Sequence, residues 1–367
     1  MNGTGVSAVT AYSAHREWAL RPPDERYASV DALHQAARAR RERTEDRDIV
    51  AVDFRTKADN DALVLHDASG RMATLTHWSF GQLATIASAP PNYLRTLPAS
   101  IASSAINVGL ERQRREQHRL LSERTAPWTI HAITSSRYVR VHHDELAGRV
   151  LDLMARYSAW HLPLAYKDGE YGAERVPSGA YLGDRDMFLF LVDGNRSLDD
   201  PTDPTDAGLF RGFILRNSDV GAAALSLDVF LFRAVCANHI IWGFHHVAGF
   251  RRRHVGTSIQ DAWATSLDGV RNALDADTAH DRTVLLRATS QELGSTREAV
   301  LTTVMQRLDL SQRYAAEAYD LAEKHEPNPR SIWGFAQGLT RLSQRTSWQD
   351  GRFTLDRAAS RLFATVH

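Results

Sequence analysis

Apolar and polar side chains alternate through the first half of the chain, and a helical spacing takes over near its end. From Ile49 to Thr76, "IVAVDFRTKADNDALVLHDASGRMATLT" alternates between two turn signals, Ala58-Asp59-Asn60 and Asp67 to Gly70, which predicts a small meander of strands. Before it, residues 1–30 have no clean period and read as a loosely held arm, and residues 31–46 read as a short charged helix or linker. After it, "FGQLATIASAPPNYLRTLP" reads as helix, a break at Pro90-Pro91, and helix. This is a helix-turn-helix outline, but two prolines and the single Arg95 on its second segment suit a packing module better than a groove reader. Residues 101–125 read as one helix whose outer face carries Arg112, Arg114, Arg115, Arg119 and Arg124.

Strand signal concentrates between about residues 128 and 256. "WTIHAITSSRYVRVHHDEL" predicts two short strands leading into a helix through "ELAGRVLDLMARY". "LPLAYKDGEY", "DMFLFLVDGN" and "GLFRGFILRNSDVG" predict three more, with the proline-rich acidic loop "SLDDPTDPTDAG" between the last two. Residues 225–242 fit both a strand and a helix face, and we expect strand at their start because Val, Phe and Leu dominate. From Ser258 onward the period is helical, with Pro327 and Pro329 setting off the last part.

The fold class expected is therefore α+β: a strand-rich central sheet with packed helices and a helical C-terminal region. The expected divisions are an arm and short helix at 1–48, a small mixed module at 49–127, a central strand-rich core at 128–256 and a helical region at 257–367.

Composition narrows the function classes. The chain has 367 residues and 43% apolar content, enough for a buried core. It lacks the apolar run needed to cross a bilayer and the basic-then-apolar order of a signal peptide, so no membrane is expected as a partner and the cytoplasm is the expected setting. One cysteine, Cys236, excludes an internal disulfide framework and multi-cysteine zinc modules. A net charge of zero argues against coating nucleic acid by bulk charge and leaves local basic grooves open. Only Lys57, Lys167 and Lys324 are lysines, so the positive charge is almost all guanidinium, the better phosphate fork.

Standard catalytic motifs do not occur: there is no G-x-S-x-G elbow, no phosphate-binding G-x-x-x-x-G-K-[ST] loop and no H-E-x-x-H. His142-His143-Asp144 and His245-His246 with His254 offer ligand atoms, but neighbouring histidines on a strand point to opposite faces, so no metal and no cofactor are expected. Asp184 and Asp186, with Asp193 following, would share a strand face and could meet one magnesium ion, which keeps a metal-dependent nuclease or hydrolase as an alternative. A protein-binding inhibitor of host defence is another, with the acidic loop 198–206 as its contact.

The arrangement that points furthest is arginine interleaved with aromatic residues. "SSRYVR" supplies Arg137, Tyr138 and Arg140; "RGFILRN" supplies Arg216; "GFRRRHVG" supplies Arg251, Arg252 and Arg253. Such groups suit a single strand, because phosphates take the charge while bases stack on rings, here Tyr138 and Trp242.

"DRDMFLFLVDG", "RGFILRNSDVGAAALSLDVFLFRAVCANHIIWG" and "RRRHVG" resemble the phage- and plasmid-borne family carrying domain of unknown function 932. "FGQLATIASAPPNYLRTLP" and "PRSIWGFAQGLTRLSQR" resemble flanking parts of its longer members, so the likeness covers about residues 70–345. Its cysteine motif usually reads cysteine, any residue, asparagine, glycine, and His239 takes the glycine place in this chain. The family's setting on mobile elements implies dealings with replicating, recombining or restricted DNA. Its mix of sheet and helix is similar in outline to single-strand annealing proteins, which hold DNA in a groove around an oligomeric ring without a nucleotide cofactor. The expectation is a homo-oligomer that binds single-stranded DNA for annealing or protection, without catalysis.

Overall fold

The computed structural model describes residues 25–366, apart from 51–53, 61, 68–69, 114–115, 158, 163, 167–174, 178, 199–208, 234–238, 241–249, 257–277, 346–354, 356–357, 360 and 364. The chain is α+β, as the period of its sequence predicts.

Strand β1 (Arg26–Tyr27) leads into α1 (Val30–Arg43), where the Ser29 side chain accepts from the Ala32 N–H and Val30, Leu33 and Ala37 form the buried stripe. Residues 25–30 thus belong to the folded body and are not an arm, because β1 is paired into a sheet.

A six-stranded sheet follows, built from β2 (Thr44–Val50), β3 (Arg55–Asp59), β4 (Ala62–His66), β5 (Met72–Leu75), β6 (Gln117–Glu123) and β7 (Trp128–Ser135) in the order β2-β6-β7-β5-β4-β3. The expected meander is present in β3, β4 and β5, and Asn60 turns the first hairpin at a φ of 53°, a left-handed position that asparagine tolerates. Strands β5 and β7 are parallel, so the chain between them must cross over, and α2 (His77–Ile86), α3 (Pro91–Leu94) and α4 (Ala99–Arg112) lie on that path. They bury Leu83, Ala84, Leu94, Ala102, Ile106 and Leu110 against Phe54, Leu65, Leu120, Ile130 and Ile133 of the sheet. Gly109 permits the closest approach, since a Cβ there would lie 2.0 Å from the Ala87 carbonyl oxygen.

Two local expectations change here. The helix expected over 101–125 stops at Arg112, and residues 117–123 are strand β6, paired by β2 on one side and β7 on the other. Leu120 and Leu121 are both buried, in separate apolar clusters, so this stretch fills two faces of a central strand. The second part of the helix-turn-helix outline is a four-residue turn opened by Pro91, and Arg95 behind it donates to the His77 carbonyl.

The second sheet takes β11 (Ala180–Leu182), β12 (Met187–Leu198), β13 (Leu209–Asn217), β14 (Leu225–Arg233) and β15 (His239–Ile240) in the order β1-β11-β12-β13-β14-β15. Strand β8 (Trp160–His161) joins β12, and β16 (Phe250–Arg252) joins β14; β9 (Leu164–Tyr166) and β10 (Arg175–Pro177) form a separate pair. Helix α5 (His143–Arg156) lies beside α1, and Leu146, Ala147, Val150 and Leu153 with Leu33 cover Leu189, Leu191, Phe213, Leu215 and Leu227. The ambiguous stretch from 225 is a strand at its start, because Leu225 and Leu227 both enter that core.

The sheets do not respect the expected divisions at 48 and 127. Strand β2 spans the first and the β6–β7 pair spans the second, while β1 and α1 complete the sheet made by residues far downstream. The tail is helical, with α6 (Thr278–Ser290), α7 (Arg297–Leu308), α8 (Gln312–His325) and α9 (Ile332–Arg345) around Val300, Val304, Ala318, Trp333, Phe335 and Leu339. Among the described residues no helix is long and apolar enough to cross a membrane.

Candidate nucleic-acid interface

Asn217, Ser218, Asp219 and Val220 connect β13 to β14 and are all buried, although their composition is that of a surface turn. Buried carbonyls need donors, and side chains from outside the second sheet supply them. The Tyr138 hydroxyl donates to the Ser218 carbonyl at 2.7 Å, and Arg140 donates to that of Asp219. Trp78 Nε1 and Gln82 Nε2, both from α2, donate to that of Val220 at 3.0 and 2.8 Å. Gln82 also accepts from the Ile133 N–H of β7 at 2.8 Å. One loop therefore joins the two sheets.

Charges are paired around it. Arg140 Nε donates to Asp46 Oδ2 at 3.0 Å, and His143 Nε2 lies 3.1 Å from Asp219 Oδ1. Asn217 Nδ2 donates to the Val141 carbonyl at 2.8 Å and stands 3.1 Å from His143 Nδ1. Burial opposes the Asp219 charge, but His143, Arg40 and Arg140 outweigh it and hold the carboxyl below the usual carboxylate range. Burial raises the Tyr138 phenol. It lowers His142, beside Arg41, to about 4, and His254 to about 4.

His254 closes the arrangement. Its ring stacks on Tyr138 with centroids 4.9 Å apart and planes at 18°. Its Nδ1 donates to the Val139 carbonyl at 3.0 Å, and the Val139 N–H donates back to the His254 carbonyl at 2.9 Å. Tyr138 and Val255 also form a bridge, so residues 138–139 are zipped to 254–255.

This zipper sorts the residues expected to meet nucleic acid. Arg137 stands at one end of it and Arg251, Arg252 and Arg253 at the other; all four are exposed, and among the described residues none makes an ion pair. Tyr138 is a poor stacking platform: His254 stacks on its ring, the Arg140 guanidinium carbon lies 5.4 Å from the ring centre, and its hydroxyl is bonded to Ser218. Arg140 points inward to Asp46 and Asp219 rather than to a phosphate. Arg216 is half-buried against Asp186, with Nε and Nη2 at 3.1 and 2.9 Å from the same carboxylate oxygen. Trp242, Cys236, His245 and His246 lie outside the described residues.

No family model, curated protein or solved structure matches the chain.

The alternative chemistries meet the same geometry. Asp184 and Asp186 do not share a strand face: they sit in the turn between β11 and β12, Asp184 exposed and Asp186 buried on Arg216. His142 and His143 are not on a strand; they open α5 as its cap and first residue. Among the described residues no three His, Cys, Asp or Glu side chains converge as metal ligands. Residues 199–206 of the acidic loop lie outside the described residues.

Sequence reasoning missed the junction itself. "NSDVG" reads as a turn, and only the unusual run of four polar or charged groups at 216–219, inside the strongest strand signal, marked it.

Proposed function

We propose that this protein binds single-stranded nucleic acid, DNA above all, along the edge formed by Arg137, Arg251, Arg252 and Arg253, for annealing or protection. The observation that carries the reading is a set of four exposed guanidinium groups, without a carboxylate partner among the described residues, that flank the 138–139/254–255 zipper at its two ends. Several other exposed arginines are taken up by carboxylates, as in Arg43–Glu123, Arg313–Glu317 and Arg330–Glu292. An unpaired guanidinium keeps its donors for phosphate, and releasing the counterions of a strand drives the association. With a net charge of zero, attraction comes from local groups of unpaired guanidinium and not from bulk charge. Binding of this kind needs no cofactor, and the protein acts as a homo-oligomer that extends the edge from copy to copy.

Titration of labelled single-stranded and duplex DNA at two salt concentrations, followed by anisotropy, tests the reading. Salt-sensitive binding that favours single strands is expected. No binding at low salt overturns it.

A further inference from the structure

Besides the four arginines of the edge, a second group of cations, far apart in the chain, lies around the start of α2 and the turn between β11 and β12. His77 and Trp78 open α2, Arg95 follows α3, and Arg185 lies in the turn between β11 and β12. His77, Arg95 and Arg185 are exposed, and Trp78 is half-buried.

The geometry holds them together. Arg95 Nη2 donates to the His77 carbonyl at 2.9 Å and Nη1 to Asn92 Oδ1 at 3.2 Å, with the guanidinium carbon 5.0 Å from the Phe80 ring centre. The Arg185 guanidinium carbon lies 5.7 Å from the Trp78 ring centre, and the Arg185 carbonyl accepts from the Ser218 hydroxyl. Trp78 is itself pinned through Nε1 to Val220. The pinned indole in turn steadies the Arg185 guanidinium over its ring. Among the described residues neither arginine has a carboxylate partner. The His77 imidazole is lowered by Arg95 first, then by burial and by Arg185. Like charges brought together in this way repel one another, and an anion placed among them relieves the repulsion.

We infer that His77, Arg95 and Arg185 form a phosphate subsite for the strand, in which the two guanidinium groups and the imidazole hold one phosphate and Trp78 carries Arg185. The inference rests on the single-strand reading above and assigns the strand a second seat.

The test compares the full-length protein with Arg185→Gln, Arg95→Gln and the triple variant Arg251→Glu/Arg252→Glu/Arg253→Glu, using a labelled oligothymidylate. Each single variant is expected to weaken binding several-fold and to flatten the plot of log affinity against log salt by about 0.7, the share of one phosphate contact on a single strand. The His77 ring protons report independently: addition of the oligonucleotide is expected to raise the imidazole pKa. Arg185→Gln removes no hydrogen bond that the fold uses, so its result does not depend on tolerance of a structural loss. If both single variants keep the full salt slope and His77 does not respond while the triple variant loses binding, the subsite is overturned and the arginine edge stands. If the unaltered protein binds no DNA, both fall.

Discussion

Arg140 and Arg137 stand three positions apart and do opposite things. Arg140 is buried in the junction, with one nitrogen on Asp46 and another on a carbonyl of the β13–β14 loop. Arg137 is exposed and has no carboxylate partner among the described residues, like Arg251, Arg252 and Arg253. What separates the junction from the edge is whether a carboxylate is within reach. A guanidinium that meets one in a buried place becomes part of the fold, and one that meets none stays available to phosphate.

The largest expected effect comes from breaking the junction. Arg140→Met leaves Asp46 without its cation and the Asp219 carbonyl without a donor, and urea denaturation should show a loss of about 3 kcal/mol. A change within about 0.5 kcal/mol would mean that the junction does not hold the sheets together.

Reversing the edge should do the converse. Replacing Arg251, Arg252 and Arg253 by glutamate is expected to lower single-strand affinity about 100-fold while shifting folding stability by less than about 1 kcal/mol. Equal losses in both quantities would erase the distinction between the regions.

Acid sharpens the comparison, because it titrates histidines of the junction while the arginines of the edge stay charged. His142 and His254 ionise at about 4 in the folded protein against an ordinary 6.5. The unfolded chain therefore binds more protons between those values. The stability they contribute is fully present above pH 6.5 and is lost as pH falls toward 4, on the order of 1 kcal/mol each. Asp219 joins only below its ordinary carboxylate range, where protonation removes the charge that His143 and Arg140 hold. Thermal midpoints measured between pH 7 and 5 should fall, and His254→Gln should reduce that dependence. A flat profile would contradict the placement of both histidines.

The smallest effect belongs to Arg137→Gln, which should leave stability unchanged and reduce the salt slope of binding by about 0.7.

Much of the architecture was legible in the residues. Strands β12 and β13 and the helices of the tail follow from period alone, since each buries a continuous apolar face that shows directly as spacing. Strand β6 was not legible. "LERQRREQHRLLSER" has helix-favouring composition, and it becomes a strand in its second half because β2 and β7 take its backbone groups on either side. The candidate site was legible as residue types and not as roles: Arg137 and the triple arginine stand exposed, but Tyr138, Arg140 and Arg216 have partners inside the fold.

The sequence by itself determined the α+β class, the helical tail and an arginine-rich chemistry, because each depends on near neighbours or on composition. Only the tertiary structure decided which arginines are paired, which ring is covered and which distant groups meet. His254 reaches Val139 across 115 positions, and Arg140 reaches Asp46 across 94. Contacts of that span depend on how the two sheets are closed by one loop, and no local pattern of apolar and polar positions records it.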